Sequence, residues 1–73
     1  MIHDIDVARH ISDLMIELTQ KIEESIHLVK DQCSEDEFKR YRLAAAYVLG
    51  YAYTDVMVPL YQEHPSLKPE GMP

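Results

Sequence analysis

Cysteine occurs once in the chain, at Cys33, which excludes an intrachain disulfide. With no secretory pattern at the start, a lone thiol fits a reducing compartment, and the cytoplasm is the expected location. Basic residues are scarce as well: seven Lys and Arg stand against thirteen Asp and Glu, for a net charge of −6. That balance repels phosphate backbones and anionic headgroups and argues against nucleic-acid binding, although Lys39, Arg40 and Arg42 make a local basic spot. Glycine occurs only twice, and repeats and low-complexity runs are absent. At 47% apolar and 27% charged residues, the chain is too hydrophobic for disorder. No set of residues has a catalytic spacing, so neither enzyme activity nor a cofactor is expected.

A chain of 73 residues forms one domain at most and buries only roughly 60% of the surface its unfolded form exposes. Without a disulfide, the remaining routes to stability are a well-packed helical core, a metal or a second chain.

Asp4 is placed to cap a helix, with Asp6 in the first turn where the helix dipole favours negative charge. From there Ile11, Met15, Leu18, Ile22, Ile26, Val29 and Cys33 recur at spacings of four and three, and Leu14 and Leu28 widen the stripe. Asp13, Glu17, Lys21, Glu24 and Asp31 fall on the opposite face. This periodicity predicts an amphipathic helix over about residues 5–32, roughly 40 Å long. Ser34-Glu35-Asp36-Glu37 then reads as a capping box, with Cys33 and Phe38 at the positions of a hydrophobic staple. A second helix therefore starts here after a tight turn. No glycine follows the first helix to cap it, which leaves one long helix through Ser34 as the alternative.

The second helix opens with Glu35–Lys39 and Asp36–Arg40, both in the favourable order. Its expected core stripe is Phe38, Tyr41, Ala45, Val48, Ala52 and Val56. Ala44, Tyr47, Tyr51 and Val58, with Leu43 and Ala46, form a second apolar surface that one antiparallel neighbour cannot cover. Pro59 predicts a kink or restart around residues 55–59, and His64-Pro65 a stop. Residues 1–64 are thus expected to form a hairpin, and 65–73, with three prolines and a glycine, an extended tail that Leu67 and Met72 could dock.

The run Leu43 to Tyr61 is long enough to enter a membrane, and Asp55 is its only formal charge. A charge there costs about 2.5–3.5 kcal/mol on insertion scales, and Ala and Tyr add little driving force, so a protein interface is the preferred reading. Gly50, four residues after Ala46, implies close approach of another backbone, because glycine within a helix costs about 1 kcal/mol relative to alanine.

Glu24 and His27 have the i,i+3 spacing of carboxylate-bridged di-metal bundles, with Asp55 as a further ligand from another chain; the ordinary reading is a solvated pair. His3, Asp4, Asp6 and His10 are a second candidate metal cluster near the N-terminus. Cys33 lies beside a helix start that lowers a thiol pKa, but three carboxylates at 35–37 oppose this. Tyr41, Tyr47, Tyr51, Tyr53 and Tyr61 suit an interface, where the ring is covered and the hydroxyl stays wet.

The sequence thus predicts an all-α antiparallel hairpin, helices 5–32 and 35–63, pairing with its twin as a homodimeric four-helix bundle. Ala46, Tyr47, Gly50, Tyr51, Tyr53 and Val58 are the expected interface. The expected role is a non-enzymatic structural or interaction module, with a further protein partner on the acidic faces or the tail. The alternatives are a metal-binding bundle and a membrane-associated protein.

Overall fold

A computed structural model describes residues 1–72; Pro73, the end of the expected tail, lies outside them. The regular elements among the described residues are all helical, with no strand: α1 is Ile5–Gln32 and α2 is Glu35–Tyr51. A π-helical turn, Ala52–Met57, leads into α3, Val58–Glu63, and a 3-10 turn follows at Pro65–Leu67. The chain is an all-α hairpin in which α1 lies along one long helical run, Glu35–Glu63.

The caps set the two helix starts. Asp4 accepts from the N–H groups of Asp6 and Val7 at 2.9 and 3.0 Å. At the turn, Ser34 Oγ accepts from Glu37 N–H at 3.2 Å, while Ser34 N–H donates to Glu37 Oε1 at 3.1 Å. Helix 1 ends without glycine because no left-handed residue is needed: Cys33 (φ −121°, ψ 172°) and Ser34 (φ −67°, ψ 159°) are both extended. Two extended residues swing the chain round, which rules out the single long helix.

Pro59 restarts the second helix in the expected region, through a turn of a kind the sequence does not specify. Its ring crowds the carbonyl of Asp55, and it has no N–H to give. The helix widens by one turn ahead of the proline: Val58 N–H donates to Tyr53 carbonyl, five residues back, and α3 carries Pro59 in its first turn. Thr54 Oγ1 donates to Gly50 carbonyl at 2.8 Å within the same stretch. A π turn holds one residue more than an α turn, so the buried stripe steps from Ala52 to Met57. Val56, expected in the core, is only half-buried, and Met57, Leu60 and Tyr61 take the interior. Val48, also expected inside, is 49% exposed.

The core sits at the open end of the hairpin, away from Ser34. Ala8, Met57, Leu60 and Tyr61 form it, with Ile11, Met15 and Ile16 of α1 packed around them. Within it, Ser12 Oγ and Tyr61 Oη share a buried hydrogen bond of 2.6 Å. Towards the turn the seam narrows to Ala45 and Ala52 under half-buried Ile22, Ile26 and Leu49.

The segment expected to run out as a tail comes back over this core. Leu67 and Met72 pack against it. Gly71, at φ 83°, provides the positive dihedral for a turn closed by Met72 N–H to Pro69 carbonyl at 3.3 Å. The N-terminus is fastened at the same end, where His64 Nε2 donates to Ile2 carbonyl at 2.6 Å and Glu63 receives both the Met1 ammonium, at 2.9 Å, and His3 Nδ1.

The result is long and thin, 44 × 20 × 16 Å with a radius of gyration of 14.4 Å, where about 11 Å is typical of a compact chain this size. Its accessible surface is 5365 Å², an excess of about 700 Å² over a compact monomer of 8.5 kDa.

Candidate interaction surface

The most distinctive surface is the outer side of α2. Leu43, Tyr47 and Tyr51 recur every fourth residue and are 61%, 63% and 66% exposed. Ala46, Tyr47, Gly50, Tyr51 and Thr54 line a shallow hollow of about 210 Å³. A Cβ built on Gly50 would meet nothing within 4 Å, so no backbone of the same chain crosses it. The close approach that glycine suggested is not made within the protomer.

Four of the six residues expected at an interface therefore share one hollow. Tyr53 and Val58 do not join them. They line a separate hollow with Tyr61, Gln62, Lys68 and Met72, beside the returning C-terminal segment. Tyr53 stands two residues, about 200°, round the helix from Tyr51, and the extra residue of the π turn carries Val58 off the face it would share with Tyr51 in an uninterrupted α-helix.

The apolar surface continues from α2 onto one flank of the hairpin. Ser25 Oγ and Tyr41 Oη meet at 2.6 Å and mark where α1 and α2 touch on that side. Leu18 and Leu14 lie two and three turns before Ser25 on the same side of α1, and Val48 lies two turns after Tyr41 on α2. All three are exposed. The other flank is more polar, with Thr19 and Glu23 beside Leu49, and Lys30 near Lys39 and Arg42.

Charge is confined to the margins of this surface. Between Arg42 and Asp55 no residue of the helix is ionisable to a formal charge at neutral pH. Lys39 and Arg40 make exposed i,i+4 pairs with Glu35 and Asp36 at 3.4 and 3.5 Å, worth about 0.3–0.5 kcal/mol each. Arg42 stacks over the Phe38 ring at 5.5 Å. Asp55 is exposed and accepts from the Thr54 hydroxyl at 3.2 Å.

The other candidate residues have separate lives. Glu24 and His27 are exposed on α1, and among the described residues no three His, Cys, Asp or Glu side chains gather as a metal would need. Within the N-terminal cluster, Asp4 caps α1, Asp6 pairs with Arg9 at 3.0 Å, and His3 pairs with Glu63. Cys33 is exposed in the turn.

Two carboxyls are electrostatically tuned. Glu63 is held below the usual carboxylate range, chiefly by the hydrogen bond from the Met1 ammonium, against partial desolvation and with help from His3. Glu37 is lowered by the backbone N–H and hydroxyl of Ser34. Both serve the fold. The Glu63 clasp escaped sequence reasoning because its partners lie at opposite ends of the chain; the near-equal lengths of the two helical arms are the one signal that brings them together.

No protein family, no curated protein and no solved structure matches the chain. The function therefore rests on the surface itself.

Proposed function

We propose that the protein is a non-enzymatic helical module that works as a homodimer, two hairpins forming a four-helix bundle with α2 at its centre. The observation that supports this is the uncharged, exposed face of Leu43, Tyr47 and Tyr51 around the open Gly50. Large apolar patches on a soluble chain mark interaction sites. The excess surface of about 700 Å² is close to the roughly 800 Å² each partner buries in a standard interface. A second copy fits a chain of charge −6 because this face carries none of that charge.

In this reading the bundle is a structural or interaction unit, and the acidic outer face of α1, with Asp13, Glu17, Glu24 and Asp31, is left for a further protein partner. The exposed, unpaired Cys33 accords with a reducing location such as the cytoplasm. Light scattering at micromolar concentration tests the assembly. A species of twice 8.5 kDa is expected, and a stable species of 8.5 kDa refutes it.

A bilayer is the second occupant the surface admits. The run Glu35–Glu63 is long and apolar enough to cross one by length and composition, and only 22% of its most apolar window is buried. Asp55 and the tyrosine hydroxyls favour protein over lipid there. A chain that stays in solution only with detergent supports the lipid reading instead.

A further inference from the structure

We infer that the two copies pair antiparallel along α2, with a twofold axis close to Tyr47, so that Arg40 of each chain faces Asp55 of the other. The inference rests on the self-association proposed above and adds its geometry.

The argument starts from where charge stands on the outer face. Arg40, Leu43, Tyr47, Tyr51 and Asp55 follow one another at helical spacings of three and four, and all are exposed. Over this stretch the face has a cation at one end, an anion at the other and is apolar between; Asp36, four residues before Arg40 and 3.5 Å from its guanidinium, lies just beyond it. Two such faces can meet in two ways. In a parallel pair, Asp55 lies against Asp55 and Arg40 against Arg40, two repulsions beside an apolar seam that excludes water. In an antiparallel pair centred just past Tyr47, each Arg40 meets an Asp55, and like charges are kept apart.

Size complementarity points the same way. About that axis Tyr51 falls opposite Ala44, a large side chain against a small one, as interdigitated helices require. The Tyr51 rings then have room, and the hollow at Ala46 and Gly50 lets the backbones approach. A parallel pair sets Tyr51 against Tyr51, whereas Tyr47, nearest the axis, meets its own copy in either arrangement. The exposed Arg40–Asp36 contact, at 3.5 Å, leaves the guanidinium free donors for a second carboxylate.

The experiment uses the full chain with Cys33→Ser. Arg40→Gln and Asp55→Asn are each measured by sedimentation equilibrium at low salt. Each is expected to raise the dimer Kd about fivefold, since two exposed ion pairs are lost per dimer, and the double variant is expected to be little worse than either single one. The parallel arrangement requires the opposite sign, a lower Kd for each. Oxidative crosslinking gives an independent readout: Ala44→Cys mixed with Tyr51→Cys should form a mixed disulfide, and Leu43→Cys alone should not. A Leu43→Cys self-disulfide in a dimeric protein overturns the antiparallel arrangement but leaves the self-association standing. A wild-type chain that remains monomeric overturns both.

Discussion

Gly50→Leu separates folding of the protomer from its assembly, because the two respond with opposite signs. Within one chain the new side chain enters open space: a Cβ at Gly50 has no neighbour within 4 Å. Replacing glycine inside a helix with a good helix former stabilises it by about 0.8 kcal/mol. The protomer should therefore fold at least as well as before. At the proposed interface the same side chain fills the hollow of about 210 Å³ that the facing helix would enter. Overpacking costs at least about 1 kcal/mol at each of the two symmetric copies, which is about a thirtyfold rise in Kd. Thermal melts at several protein concentrations read both effects. In the wild type the midpoint should rise with concentration, as expected when association stabilises the native state. In Gly50→Leu that dependence should weaken, while helicity at low concentration is kept or increased. A leucine variant that associates as tightly as the wild type would place the contact elsewhere and refute the reasoning.

Ser34→Ala removes the acceptor for Glu37 N–H and should cost about 1 kcal/mol, a fall of about 4–8 °C in the melting midpoint. Tyr61→Phe leaves the buried Ser12 hydroxyl without its partner and should cost about 1–2 kcal/mol in urea denaturation; adding Ser12→Ala should cost less than the sum of the single changes. Acid should weaken the fold through Glu63 and Glu37. Their folded-state values are lowered, so the unfolded chain binds their protons first as pH falls. The stability they contribute is complete above about pH 5 and drains away below it, through the lowered values. Glu63→Gln should flatten that slope in pH-dependent melts, and a slope unchanged from wild type would show that the clasp does not form in solution.

The parts of the fold legible in the sequence are those written in short-range chemistry. Asp4 and the Ser34–Glu37 box mark helix starts through hydrogen bonds to residues two and three positions on, and both helices begin where these residues put them. The helical recurrence of Ile11, Met15, Ile22, Ile26 and Val29 also identifies the half-buried side of α1, but Leu18 and Cys33, expected in the same stripe, and Leu14 and Leu28 beside it are exposed. The second helix is harder. A constant period of 3.6 carries the stripe from Ala52 to Val56, whereas the π turn carries it to Met57. Pro59 shows that something must change near residue 55, but a kink, a break and a widened turn all relieve the same clash. On an uninterrupted helix Val58 joins Tyr47 and Tyr51 on one face, and for that reason it separates from them in three dimensions; Tyr53, expected at the same interface, lies with Val58 instead. The end clasp depends on residues some sixty positions apart meeting, which no local pattern records, whereas the docking of Leu67 and Met72 is open to sequence reasoning because they are the apolar residues of an otherwise polar, proline-containing segment.

The π turn has a consequence for how this chain can change over generations. A single helix with uninterrupted phase would tie its outward side chains to its inward ones, so that any shift in one would move the other. Here the extra residue between Ala52 and Met57 splits the helix into a stretch that secures the protomer, through Met57, Leu60 and Tyr61, and a stretch that looks outward, through Leu43, Tyr47 and Tyr51. Substitutions among the outward side chains can remodel the exposed face while the inherited core stays intact.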